Sequence, residues 1–177
     1  ASMIQWERRR QHLVIELPEL DLQCEILYEN PEGSLSVALI CHPHPLHQGT
    51  MYNKVVSACT KALLDTKIAT FRFNFPGVGQ STGQFDDGKL ESEVVSSLLK
   101  LIKAHRSQHQ IILAGFSFGG AIASYSYDNI NKRILIAPSL GSFSKQSPDW
   151  SSPTLLLHGL DDEIVPPQGS LDLLSAD

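Results

Sequence analysis

The sequence predicts an α/β fold in which a mostly parallel β-sheet is flanked by helices. Three observations carry this expectation. Residues 37–41, 111–114, 134–137 and 154–157 are short, nearly unbroken apolar runs, as expected of strands covered on both faces. Stretches of helical period lie between these runs. The links are short, and no repeat or low-complexity tract divides the chain, so residues 1–177 read as a single domain.

Taken in order, Leu13, Ile15 and Leu17 alternate with Val14 and Glu16, and Leu22, Cys24, Ile26 and Tyr28 alternate with Gln23, Glu25 and Leu27. With Pro18-Glu19 between them, these runs predict an N-terminal antiparallel strand pair with one wet face. The apolar run 37–41 follows. Val55, Val56, Cys59 and Leu63 then share a helical face, and residues 68–75 form a further strand with Phe71, Phe73 and Phe75 on one side. Val94, Val95, Leu98, Leu101 and Ile102 mark a second helix, whose N-terminal cap is expected at Asp86 or Asp87. A third helix should start near Phe118 and run through Ala121, Ile122 and Tyr125. Residues 139–153 read as a polar loop, and 167–174 as the beginning of a last helix.

Composition excludes several classes of function. Hydrophobic residues make up 42% of the 177, enough for a sizeable core, and the net charge is −5. A nucleic-acid binder needs a basic face to neutralise phosphates, and the basic cluster Arg8-Arg9-Arg10 reads as a solvated end. No apolar run approaches the roughly 18 residues of a membrane span, and the N-terminus carries no apolar signal core. Cys24, Cys41 and Cys59 are odd in number and without metal-ligand spacing. Free thiols in a reducing compartment explain them, so a cytoplasmic protein is expected.

The chemistry concentrates in four places. Gly115-x-Ser117-x-Gly119 follows the apolar run 111–114 and opens the third helix, the setting a nucleophile elbow requires. A serine on so sharp a turn is held in a strained conformation. Glycines two residues to either side avoid a clash, and the N–H of Phe118 lies at a helix N-terminus, where a developing oxyanion is favoured. The run 37–41 leads into His42-Pro43-His44-Pro45-Leu46-His47, at the same sheet edge, where open α/β sheets bind ligands. The N–H of His44 is the candidate second oxyanion donor, with that of Leu46 next. His42, His44 and His47 also have the spacing of a zinc set, but no acidic ligand follows closely and the prolines restrain the rings, so no metal is assigned. After the run 154–157 comes His158-Gly159-Leu160-Asp161-Asp162-Glu163. A carboxylate just past a strand end can orient a catalytic histidine, and Asp162 is preferred over Asp161. Gly77-x-Gly79 with Gly83 reads as an active-site rim loop, because it lacks the helix and spacing of a dinucleotide fingerprint.

These segments resemble the α/β-hydrolase superfamily, and within it the small dienelactone-hydrolase-like predicted bacterial hydrolases. The resemblance rests on His42-Pro43-His44-Pro45 with Asn53-Lys54-Val55-Val56, on Gly77-Val78-Gly79-Gln80-Ser81, on Gly115-Phe116-Ser117-Phe118-Gly119-Gly120, and on His158-Gly159 with Asp162 and Val165-Pro166. It implies the α/β-hydrolase fold, Ser117 as nucleophile, Asp162 as triad acid and a histidine on a loop beyond a final strand. All seven histidines precede Asp162, and 15 residues follow it, so that final strand, helix and histidine are expected past Asp177. The expected function is acyl transfer from a carboxylic ester or thioester, without a cofactor, on a small-molecule substrate. The alternative is a non-catalytic binding or sensory module that keeps the hydrolase fold.

Overall fold

The computed structural model describes residues 3–141 and 146–158. Among these, seven strands form one sheet: β1 (Arg10–Leu17), β2 (Leu22–Glu29), β3 (Ser36–Cys41), β4 (Ala69–Phe73), β5 (Gln110–Phe116), β6 (Lys132–Ile136) and β7 (Thr154–Leu157). Their order is β1-β2-β4-β3-β5-β6-β7. The β1/β2 and β2/β4 pairs are antiparallel, and every pair from β4 through β3, β5 and β6 to β7 is parallel. This is the α/β-hydrolase fold, with the N-terminal antiparallel pair joined by a short 3-10 turn at Pro18–Leu20.

The period of two along the parallel strands divides the core into two layers. Val37 and Leu39 of β3, with Ile111 and Leu113 of β5, face one side; Ala38, Ile40, Ile112 and Ala114 face the other. The helix α1 (Lys54–Asp65) covers the second face through Val56 and Leu63. The helices α2 (Lys89–His105) and α3 (Phe118–Ala123) cover the first, with Val94, Val95, Leu98 and Ile102 meeting Phe118 and Ile122. Asn53 starts α1 as its N-cap, accepting from the N–H groups of Val55 and Val56.

Three local expectations are corrected. Cys24 through Tyr28 are all buried, so β2 has no wet face; it lies between β1 and β4 inside the sheet and is covered on both sides. The cap of α2 is neither Asp86 nor Asp87 but Gly88, at φ 97°. The Glu91 carboxylate satisfies this helix start, accepting from the N–H of Gly88 at 2.8 Å and of Asp86 at 3.2 Å. Its burial nevertheless raises its pKa above the usual carboxylate value. The third helix ends at Ala123, and Tyr125 is buried just beyond it.

That six-residue helix is too short to hold itself together. Its last turn is tied down by Arg133 of β6, 1% exposed, whose Nη1 donates to the Ala123 carbonyl at 3.0 Å. Cys24 and Cys41 are buried free thiols and Cys59 is a half-buried one. Burial pushes the Cys24 thiol up to about 12 and Cys41 higher still, so both stay as protonated thiols near neutral pH. Among the described residues no helix is long and apolar enough to cross a membrane.

Candidate active site

Ser117 stands where β5 turns into α3. Its backbone sits at φ 56° and ψ −117°, a conformation side chains rarely adopt and that persists only where its surroundings enforce it. The enforcement is steric. A Cβ on Gly115 would strike the Gly119 carbonyl, and one on Gly119 would strike the carbonyls of Cys41 and His42. The bend therefore closes only with glycine at both places, and the second glycine lets α3 press against the end of β3. The Ser117 N–H donates to the Ile136 carbonyl at 3.0 Å, fastening the bend to β6. Its side chain is half-buried, and its Oγ lies 3.2 Å from Ser139 Oγ. Phe118, wholly buried, opens α3.

The histidine loop leaves β3 beside this bend. His42 is fully buried. Its Nδ1–H donates to the Pro43 carbonyl at 2.7 Å, and its Nε2 accepts from the Phe75 N–H at 3.0 Å. The ring is thus a neutral cross-brace between the ends of β3 and β4, and burial pushes its pKa down to about 4. With both nitrogens engaged it cannot join His44 and His47 around a metal. Among the described residues no group of three or more His, Cys, Asp or Glu is arranged for one.

His44 is half-buried, its ring stacked on His47 at 4.3 Å and tilted against Phe85 at 4.7 Å and Phe118 at 5.0 Å between centroids. Burial, and then the neighbouring His47, hold its pKa below the ordinary histidine value. The ring contact with Phe118 sets the His44 segment beside the residue that follows Ser117. The Leu46 N–H, the alternative oxyanion donor, is committed to His44 Nδ1 at 3.1 Å.

The glycine loop after β4 completes this rim. Residues 76–78 and 83–85 face Pro45 and Leu46 across a hollow of about 390 Å³, whose lining is mixed polar and apolar. Phe85 lines that hollow, and its ring lies 5.6 Å from that of Phe118 between centroids. Asp161 and Asp162 lie outside the described residues. His158, at the end of β7, has both ring nitrogens buried with no hydrogen-bond partner among the described residues.

Sequence reasoning missed two contributors. Ser139 follows the run 134–137, and its nearness to Ser117 was available from the rule that adjacent parallel strands end at the same edge. Glu25 was read as a wet-face residue. It is 5% exposed, and its carboxylate takes hydrogen bonds from Asn74 Nδ2 and the Gln80 N–H at 2.8 Å each, with His12 Nε2 at 2.6 Å. Asn74 Oδ1 in turn accepts from the Met51 N–H at 2.9 Å. One buried carboxylate thereby ties the glycine loop to the far end of the histidine loop.

Comparison with known proteins agrees with this fold. A structure of an α/β serine hydrolase homologue from Coxiella burnetii superposes with a TM-score of 0.83 at 35% identity, covering 98% of this chain and 84% of that one. XC6422 from Xanthomonas campestris, an α/β serine hydrolase without a lid, gives 0.84 at 32% identity over 96% of this chain and 79% of its own. The uncharacterised protein RP471 of Rickettsia prowazekii is 32% identical over 171 residues, 85% of this chain and 72% of that protein. The family model described as the alpha/beta hydrolase family matches residues 38–174, which takes in the histidine loop, the glycine loop and the Ser117 bend. The chain belongs to the alpha/beta hydrolase family.

Proposed function

We propose that this chain is a single-domain serine hydrolase of carboxylic esters or thioesters that needs no cofactor. Ser117 is the nucleophile, the N–H groups of Phe118 and His44 hold the oxyanion, and Asp162 orients a histidine that follows Asp177. The observation that carries this reading is the strained bend at Ser117, which sets a half-buried hydroxyl at the sheet's carboxyl edge beside the histidine loop.

In the first step the Ser117 Oγ–H proton passes to the histidine as Oγ bonds to the substrate's carbonyl carbon. The carbonyl π pair moves onto oxygen, where the two N–H groups receive it. Collapse of this tetrahedral species breaks the bond to the leaving alkoxide or thiolate, which takes the proton back from the histidine and leaves an acyl-Ser117. Water repeats the sequence and frees the acid. The hollow that Pro45, Leu46, Val78 and Phe85 help to line is of a size for a small substrate group. The lidless character of XC6422 supports an open pocket here too.

The test is hydrolysis of a short p-nitrophenyl ester by the full-length protein. Ser117→Ala should reduce turnover by at least about 10³-fold. Retained turnover in that variant would remove Ser117 from the chemistry, and failure of a fluorophosphonate to label Ser117 would favour the binding-module alternative.

A further inference from the structure

We infer that Ser139 is a positioning residue for the nucleophile: its hydroxyl holds the Ser117 rotamer and donates a hydrogen bond to Ser117 Oγ as that oxygen loses its proton. The inference rests on the reading of Ser117 as the nucleophile.

Three contacts join the two serines' segments. The Ser117 N–H donates to the Ile136 carbonyl at 3.0 Å, and the Ser139 N–H donates to the Ser117 carbonyl at 3.1 Å. The hydroxyls meet at 3.2 Å, within reach of a hydrogen bond. Backbone bonding in both directions fixes the spacing of the two Cα atoms, and within that spacing the contact between the hydroxyls holds the rotamers.

The turn that carries Ser139 is itself enforced. Ala137, on the last turn out of β6, sits at φ 40°, a region unfavourable for any residue with a Cβ. It is kept there by its N–H bond to the Leu157 carbonyl at 2.7 Å. The next residue, Pro138, packs on α3 so closely that a Cβ on Gly120 would come to 3.0 Å from its Cα. Register places Phe116 opposite Ile136, so the strained Ser117 and the strained Ala137 each follow directly on the last pair of the β5/β6 ladder. Backbone strain on both sides of one hydroxyl pair is the pattern expected where a geometry is maintained for chemistry.

The chemical role follows from what a hydroxyl can do. Ser139 keeps its own proton throughout. As Ser117 Oγ–H passes its proton to the base, negative character gathers on Oγ before the bond to carbon is complete, and a donor already aimed at that oxygen stabilises it without reorganising. Holding the rotamer also keeps Oγ in attacking position. Both effects act on the chemical step and leave substrate binding unchanged.

The test compares Ser139→Ala and Ser139→Thr in the full-length protein, using p-nitrophenyl ester turnover and the rate of Ser117 labelling by a fluorophosphonate. Ser139→Ala should lower kcat about threefold to tenfold, as expected for one neutral hydrogen bond. KM should be unchanged, and labelling should slow by the same factor. Ser139→Thr, which restores the hydroxyl, should recover both rates to within about twofold. Wild-type kcat and labelling in Ser139→Ala would overturn the inference, as would equal losses in both variants, because the effect would then follow shape and not the hydroxyl. Ser117→Ala separates the two claims: if it retains turnover, the nucleophile reading fails. If it is inactive while Ser139→Ala is unimpaired, only the role of Ser139 fails.

Discussion

At the β5–α3 bend the chain is shaped by what is missing: Gly115 and Gly119 leave space that the carbonyls of Gly119, Cys41 and His42 occupy. At the β4–α2 loop, on the other side of β3, it is shaped by what is added, since the Glu25 carboxylate gathers Asn74 and Gln80 of that loop and His12 of β1. The first device is steric and insensitive to pH. The second is electrostatic and depends on a charge being present. The contrast suits the proposed function, in which the bend fixes the reacting atom and the carboxylate aligns two loops beside it.

Substitutions can break or sharpen this contrast. Gly119→Ala should be the most damaging. The neighbouring atoms are backbone and cannot swing aside, so a loss of about 4 kcal/mol or outright failure to fold is expected in urea unfolding. A loss under about 1 kcal/mol would mean that the bend is not sterically defined.

Glu25→Gln should cost about 1–2 kcal/mol at pH 7 by exchanging charge-assisted bonds for neutral ones. Its pH dependence is diagnostic. Burial opposes ionisation of Glu25, but the bonds from Gln80, His12 and Asn74 outweigh it, so the folded-state pKa lies below the usual carboxylate value. Stabilisation is therefore present above the unfolded-state pKa of about 4.3, and is lost as pH falls through the folded-state value. Urea midpoints compared below about pH 4.5 should converge for wild type and Glu25→Gln; a constant gap down to acid pH would show that the charge is not what holds the loop.

Ser117→Gly gives the smallest effect, and its sign is informative. Glycine relieves the backbone strain but adds freedom to the unfolded chain, leaving a net gain of about 0.5–1 kcal/mol. A thermal melt no higher than wild type would show that the bend stores no strain at that residue.

Much of this was legible from residue order. The apolar runs that predicted parallel strands fall on β3, β5, β6 and β7; β3 and β5 are apolar because both their faces are covered, whereas Leu155 and Leu157 of β7 are exposed among the described residues. Gly115 and Gly119 announced the bend because close backbone approach leaves few other residue types. Glu25 was not legible. A carboxylate in an alternating strand looks like solvent-facing chemistry, and its partners Asn74 and Gln80 lie 49 and 55 residues away in sequence. The cap of α2 was misassigned for a related reason: Asp86 and Asp87 have the right side chains, but the carboxylate that reaches the free N–H groups comes from Glu91, inside the helix.

The β5/β6 ladder acts as a ruler whose last mark, Phe116 opposite Ile136, lies immediately before both serine-bearing turns. Chain inserted after Gly141 leaves every mark on that ruler unmoved. Descendants of this scaffold are thus free to lengthen or rebuild the connection to β7 while the spacing of the two serine-bearing turns is inherited intact.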